Sequence, residues 1–185
     1  MEKIASELKG IKRAAIAGHV RPDGDCVGSC MGLYLYLREN YPEIETDIYL
    51  EKPRDAFSMI SHLDEIRTAY TDEEAYDVFF VIDTSTSDRI GVAWEAYQKA
   101  KKKICIDHHV SNKGFGDINV VKPDVSSASE VLFGVLDEEK ISKSVAEAIY
   151  MGMAHDTGVF KFSSTTPETL RIAAKLMEKG IDFTS

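Results

Sequence analysis

The sequence lacks any run approaching the roughly 18 consecutive apolar residues that a membrane-spanning helix requires. Its N-terminal segment MEKIASELKG also lacks the cationic start and apolar centre of a signal peptide. Internal repeats and low-complexity linkers are absent as well. These absences predict a cytoplasmic protein without a membrane partner, built as one domain over residues 1–185.

Cysteine is scarce, and acidic residues outnumber basic ones. The three cysteines, Cys26, Cys30 and Cys105, form no CxxC pair, which argues against a disulfide framework and against a cysteine-based zinc site. The formal net charge of −9 disfavours long nucleic acid and anionic lipid as partners. An acidic chain can still bind phosphates through metal ions, so the charge points to cations.

Short apolar runs alternate with segments of helical periodicity. The runs typical of strands are RAAIAG (13–18), TDIYLEK (46–52), VFFVID (78–83) and KICID (103–107). Helices are predicted over 27–37, 57–63, 91–102, 126–139, 142–155 and 167–179. This alternation predicts an α/β fold: an open, mostly parallel twisted sheet flanked by helices, with a helix-rich part toward the C-terminus.

Acidic and histidine side chains follow the predicted strands. In an open α/β sheet, ligands bind outside the carboxyl ends of the strands, so these side chains are expected at one edge. A further aspartate lies in AHDTG (154–158), which is predicted to be a loop. The candidate site residues are His19, Asp23, Asp25, Asp83, Asp107, His108, His109 and Asp156.

Several carboxylates at one point repel one another strongly unless protons or cations offset their charge. Aspartate and imidazole together suit Mn²⁺, Fe²⁺, Co²⁺ or Zn²⁺, and the histidines without thiolates favour manganese-like ions. Each residue also has an ordinary structural interpretation. The DGD tripeptide is typical of a solvated turn, Asp83 of a helix cap, and His108–His109 of a surface dipeptide. The recurrence of acidic clusters after strands favours the metal site.

Four ordered motifs carry a resemblance to a known family. They are GHVRPDGDCVGS, VIDTSTSDRIG, CIDHHVSN with the following GFGDINVV and SSASE, and GMAHDTGVFKF. The chain resembles the catalytic domain of the DHH phosphoesterases, named for the triplet Asp107-His108-His109. Within that family it is most similar to the bacterial oligoribonuclease and 3′,5′-bisphosphate nucleotide (pAp) phosphatase branch, often called NrnA-like.

The resemblance implies two divalent ions, with manganese favoured, held by two ligand sets that share one aspartate. The ligands are His19, Asp23 and Asp83 for one ion, and Asp25, Asp83, His108 and Asp156 for the other. Asp107 is implied as a partner that orients the motif. His109 is implied to face the substrate phosphate or its leaving oxygen, with a neutral structural imidazole as the alternative.

The implied activity is metal-dependent hydrolysis of phosphoester bonds in small nucleotides, either pAp or very short RNA, by an activated water. Two alternatives stay open: a cyclic dinucleotide phosphodiesterase, and a non-catalytic nucleotide-binding module. The oligomeric state also stays open, with a homodimer as one possibility.

The chain departs from the NrnA-like branch in two ways. It lacks the GGGH-like motif of a smaller C-terminal substrate-binding domain, and it carries His155 where a small or apolar residue is expected. A solvent-facing ring is favoured for His155 over an added ligand.

Overall fold

The computed structural model describes residues 3–71 and 74–182. The strands are β1 (Arg13–Ala17), β2 (Glu45–Tyr49), β3 (Val78–Ile82), β4 (Lys103–Asp107) and β5 (Ile118–Val121). The helices are α1 (Gly24–Asn40), α2 (Trp94–Lys99), α3 (Ala128–Val135), α4 (Lys143–Asp156) and α5 (Pro167–Glu178). Among the described residues, none of the helices has the length and apolar character needed to cross a membrane.

The strands form one sheet in the order β2-β1-β3-β4-β5, and every neighbouring pair is parallel. The predicted open α/β sheet is therefore confirmed. The strand order reverses at β1, because the chain first adds β2 on one side and later adds β3 on the other. Such a reversal opens a crevice between the loops that follow the two strands. Those loops carry His19 and Asp83.

The sheet is buried on both faces, as β3 shows most clearly. Val78, Phe80 and Ile82 pack into a core shared with α1, α3, α4 and α5, whereas Phe79 and Val81 pack on the other face with α2. This alternation follows the two-residue period of a strand. A run that is buried on both faces explains why VFFVI has no polar position. The helix-rich C-terminal part thus covers the same face of the sheet as α1.

Helices α1 and α4 approach so closely that no side chain fits between them at one point. A Cβ added at Gly28 would lie 2.5 Å from the carbonyl oxygen of Ala148 and 2.8 Å from the backbone nitrogen of Gly152. A Cβ added at Gly152 would lie 3.0 Å from Asp25 Oδ1. The last turns of α4 therefore lie beside the first turns of α1, and this brings Asp156 to the crevice.

One predicted helix is wrong. The segment 57–63 contains no α-helix; short 3₁₀ turns at Asp55–Phe57 and Leu63–Glu65 stand at its two ends instead. His62 has a left-handed backbone with φ of 64° between them, which a continuous right-handed helix cannot accommodate.

Other segments also differ from the prediction. The segment 154–158 is not all loop, because α4 continues through Asp156 and the backbone becomes left-handed only at Gly158. The helix expected over 91–102 is shortened to α2, preceded by a 3₁₀ turn at Gly91–Ala93. Strand β5 was not predicted; it is four residues long and sits in the GFGDINVV segment.

Candidate metal centre

The loop after β1 turns directly into α1, and this turn brings an imidazole toward two carboxylates. His19 Nε2 is 3.7 Å from Asp23 Oδ1 and 3.5 Å from Asp83 Oδ2. Asp23 is the N-cap of α1, where its Oδ1 accepts hydrogen bonds from the backbone N–H groups of Asp25 and Cys26. The DGD segment is therefore a helix start rather than a solvated turn.

The ring of His19 is oriented by its other nitrogen. Nδ1 lies 2.8 Å from the carbonyl oxygen of Val20 and donates to it, so Nε2 faces Asp23 and Asp83. Burial disfavours the charged ring, but the two carboxylates outweigh it and raise the pKa of His19. The Nη2 of Arg89 also lies 3.3 Å from Nδ1.

Asp25 is buried, and both of its carboxylate oxygens are held by the start of α3. Oδ2 accepts from the backbone N–H of Ala128 at 2.6 Å, and Oδ1 accepts from that of Ser129 at 2.9 Å. Burial and the negative charges of Asp83 and Asp156 raise the pKa of Asp25 well above its usual value. A proton or a cation is thus needed to offset the charge at this point.

His108 lies among three carboxylates that come from three different motifs. Its Nε2 is 3.2 Å from Asp156 Oδ2, 3.6 Å from Asp83 Oδ1 and 3.8 Å from Asp25 Oδ2. The ligand atoms of Asp25, His108 and Asp156 all lie within 4.8 Å of one another. Burial alone lowers the pKa of His108, but the hydrogen bond to Asp156 and the neighbouring charges raise it to about 9.

Asp83 lies between His19 and His108 and contacts both. It has a left-handed backbone with φ of 54°, a conformation that aspartate tolerates better than most residues and that is found at functional sites. Its Oδ1 is buried, and the described residues provide it with no hydrogen-bond partner. Burial raises the pKa of Asp83. A bound cation is one partner that would satisfy such a buried carboxylate oxygen.

Asp107 ends β4 and acts as an acceptor for the turn that follows. Its Oδ1 accepts from the backbone N–H groups of His108 and His109 and, at 2.8 Å, from Nδ1 of the His109 ring. Burial opposes the charged form, but the donors from His109 and Asn112 lower the pKa of Asp107. This turn explains how adjacent histidines, which point to opposite faces along a strand, both reach the centre.

His109 is oriented through Nδ1, which leaves Nε2 as the ring nitrogen available to a ligand. Its side chain is 35% exposed, and its Nδ1 lies 3.6 Å from Asp83 Oδ1. The hydrogen bond to Asp107 raises the pKa of His109. The ring is therefore located at the edge of the cluster rather than inside it.

Sequence reasoning missed Asn112, although the residue belongs to the CIDHHVSN motif. Asn112 is buried, and its Nδ2 donates to Asp107 Oδ2 at 2.7 Å and to the carbonyl oxygen of Thr84 at 3.1 Å. Its Oδ1 accepts from the backbone N–H of Gly114 at 2.7 Å. Asn112 thus connects the turns after β3 and β4 and completes the hydrogen bonds of Asp107.

The arrangement fits divalent cations on the chemistry of its donor atoms. Carboxylate oxygens and imidazole nitrogens are the ligands that Mn²⁺, Fe²⁺, Co²⁺ and Zn²⁺ share. The unpartnered oxygen of Asp83 and the raised pKa values of His19 and His108 indicate the same need for positive charge. The structure brings together the side chains that the two implied ligand sets name, and it places Asp107 and His109 beside them.

A doubly wound parallel sheet with carboxylates and imidazoles at its switch point defines an α/β protein with a candidate metal centre. The family described as "DHH family, N-terminal domain" matches residues 13–153. The chain therefore belongs to the DHH family.

Named relatives are similar over most of the chain. "Bifunctional oligoribonuclease and PAP phosphatase NrnA" from Bacillus subtilis (strain 168) is 35% identical over 165 residues, covering 86% of this chain and 51% of that protein. The protein of the same name from Thermus thermophilus is 30% identical over 185 residues, covering 98% of this chain and 55% of that protein. The chain spans about half the length of these curated relatives.

Solved structures show the same fold. The crystal structure of an exopolyphosphatase-related protein from Bacteroides fragilis superposes with a TM-score of 0.83 at 29% identity, covering 97% of this chain and 56% of that one. A putative family II inorganic pyrophosphatase from Methanococcus jannaschii has a TM-score of 0.60 at 19% identity, covering 91% and 57%. The second likeness concerns the fold alone.

Proposed function

We propose that this chain is a phosphohydrolase that depends on divalent metal ions, with manganese favoured, and that cleaves phosphoester bonds of small nucleotides. The proposed substrates are pAp, at its 3′-phosphate, and very short oligoribonucleotides. The meeting of Asp25, His108 and Asp156, from three separate motifs, is the observation that carries the proposal. The names of the NrnA relatives support the substrate class.

The proposed ligand sets share Asp83, which contacts the imidazoles of both. His19 and Asp23 would hold one ion with it, while Asp25, His108 and Asp156 would hold the other. The hydrogen bonds from the backbone of α3 orient Asp25. The hydrogen bond that His19 Nδ1 donates to the carbonyl oxygen of Val20 fixes Nε2 as the nitrogen that would face the ion. When bound, two such ions lower the pKa of a water and offset negative charge on phosphoryl oxygens.

His109 is the proposed proton donor to the departing oxygen. Asp107 accepts from its Nδ1, so the ring is held with Nε2 available to the substrate. A side chain at the edge of the cluster, partly exposed, can reach a leaving oxygen without itself binding an ion. Asp107 and Asn112 are positioning residues in this scheme, because they act through His109 and His108.

The described residues are proposed to form one catalytic domain, since all their helices pack on a single sheet. The proposed location is the cytoplasm, which the three free cysteines suit.

The test measures phosphate or nucleotide release from pAp, pApA and a cyclic dinucleotide, with Mn²⁺ or with a chelator. We expect turnover of pAp or pApA with Mn²⁺ only. Asp83→Ala is expected to reduce that turnover by roughly 10³-fold or more, as for loss of a central electrostatic group. Asp64→Ala, a change at an exposed aspartate away from the centre, is the matched control and should keep full activity.

Each other outcome contradicts the proposal in a different way. Turnover of the cyclic dinucleotide alone would indicate a cyclic dinucleotide phosphodiesterase. Binding of nucleotides without turnover of any would indicate a non-catalytic module. Unchanged turnover in Asp83→Ala, or in the presence of chelator, would rule out the metal-dependent mechanism.

A further inference from the structure

His155 lies at the centre, although neither proposed ligand set includes it. It is the second-last residue of α4 and precedes Asp156 directly. Its Nδ1 is 3.9 Å from Asp156 Oδ1, whereas the other oxygen of that carboxylate, Oδ2, faces His108 at 3.2 Å. Asp156 therefore has one oxygen toward each imidazole.

The ring of His155 is seated against the protein, although 44% of the side chain is exposed. A Cβ added at Gly24 would lie 2.4 Å from its Cγ and 2.5 Å from its Cδ2, so the imidazole covers the first residue of α1. Phe57, which is buried, contacts the ring edge-on at a centroid distance of 6.3 Å. A free surface histidine would have no such contacts on two sides.

Three possible ligand atoms lie within 4.8 Å of one another: one nitrogen of the His155 ring, one carboxylate oxygen of Asp23 and one carboxylate oxygen of Asp156. Ligand atoms about 2.1 Å from one ion are separated by roughly 3 to 4 Å, so small side-chain movements would bring the three into one coordination sphere. Asp23 and Asp156 belong to different proposed ligand sets. His155 thus stands where the two sets come together.

We propose that His155 is an additional protein ligand of the metal centre, binding between Asp23 and Asp156. This inference rests on the proposed metal centre but not on the proposed substrate. An added imidazole strengthens binding of Co²⁺, Ni²⁺ and Zn²⁺ more than that of Mn²⁺, because nitrogen donors follow the Irving–Williams order most steeply. The consequence is a centre that discriminates between Co²⁺ and Mn²⁺ more strongly than the two proposed ligand sets would without His155.

The test compares binding of Co²⁺ and Mn²⁺ to the metal-free full chain, by calorimetry and by the visible absorption spectrum of bound Co²⁺. The variants are His155→Ala and His155→Gln, the second of which keeps bulk over Gly24 but lacks an imidazole. His62→Ala is the matched control, since His62 is 42% exposed and pairs with Glu65 instead of with the centre. Urea unfolding verifies that each variant is folded.

We expect both His155 variants to lose about tenfold or more in Co²⁺ affinity, to lose less in Mn²⁺ affinity, and to change the Co²⁺ spectrum. His62→Ala should behave as the wild type. A His155→Gln variant with the wild-type affinities and spectrum would overturn the inference, as would a wild-type chain that binds neither ion.

The two proposals fail separately. If His155→Gln alters Co²⁺ binding but the wild-type chain releases nothing from pAp or pApA, the ligand assignment stands and the proposed function falls. If the wild-type chain turns over pAp and His155→Gln leaves Co²⁺ binding unchanged, the function stands and the ligand assignment falls.

Discussion

The backbone N–H of Ala128 donates to Asp25 Oδ2 over 2.6 Å, and this hydrogen bond joins residues 103 positions apart. Ser129 donates to the other oxygen, so the first turn of α3 fixes the whole carboxylate. The positive end of the helix dipole favours the negative charge there. Burial and the charges of Asp83 and Asp156 oppose it, and a cation bound as proposed would offset these charges.

Asp25→Asn should weaken the stabilisation that metal ions give the fold. An ion at a free concentration of about 100 times its Kd stabilises the folded state by about 2.7 kcal/mol, and the variant loses a charged ligand of one ion. Thermal unfolding over a Mn²⁺ titration measures the difference. Asp64→Asn, at an exposed position, is the control and should keep the full shift in Tm. A wild-type shift in Asp25→Asn would contradict a role for Asp25 as a ligand.

The positions that follow strands could be predicted from the sequence, because parallel strands end at one edge. His19 and Asp83 lie together for that reason. Asp156 could not be located in the same way, since it ends a helix rather than a strand. Its position depends on the close approach of α1 and α4 at Gly28 and Gly152, which no local pattern of the sequence reveals.

The hydrogen-bond partners that orient the side chains of the candidate metal centre could not be predicted from the sequence either. The N–H groups of Ala128 and Ser129 are backbone donors, and nothing in their side chains indicates that they bind Asp25. Asn112 is visible in the sequence, but its bonds to Asp107 and to the carbonyl of Thr84 depend on how the turns after β3 and β4 are packed.

His109→Gln should slow the hydrolysis of a substrate whose leaving oxygen needs a proton more than that of a substrate whose leaving group does not. If His109 gives a proton to the departing oxygen, turnover of pAp falls by roughly 10²- to 10⁴-fold. Turnover of p-nitrophenyl phosphate should fall much less, because p-nitrophenolate leaves without a proton. Steady-state kinetics on both substrates with saturating Mn²⁺ provide the comparison, and His62→Gln is the control. An equal loss on both substrates would contradict the proton-donor role.

Asn112→Ala should impair turnover by misorienting the turn that carries His108 and His109. The change removes a donor to Asp107 Oδ2, and loss of such an outer partner typically costs 10- to 100-fold, roughly, in activity or metal affinity. Because Asn112 is buried and makes several hydrogen bonds, stability should also fall by about 1–3 kcal/mol. Kinetics with Mn²⁺ and urea unfolding measure the two effects.

The matched control is Asn119→Ala, at an exposed asparagine of β5 whose side chain, among the described contacts, bonds only to the backbone of Gly116. It should leave kcat unchanged. If Asn112→Ala lost stability but kept its kcat, Asn112 would be a purely structural residue.

Gly28→Ala tests whether the approach of α1 and α4 positions Asp156. The new Cβ would lie 2.5 Å from the carbonyl oxygen of Ala148, which is backbone and cannot turn aside, so the helices must separate. Overpacking of this kind costs about 1–3 kcal/mol, and the displaced Asp156 should weaken the Mn²⁺-dependent shift in Tm.

The matched control is Gly134, an exposed site in α3, where the added Cβ meets only Lys122 Nζ at 3.8 Å. Gly134→Ala should therefore stabilise the fold by about 0.5–1 kcal/mol and leave the Mn²⁺ shift intact, because alanine favours a helix over glycine. Urea unfolding with and without Mn²⁺ compares the two variants, and equal stability in both would show that the helices are not in close contact at Gly28.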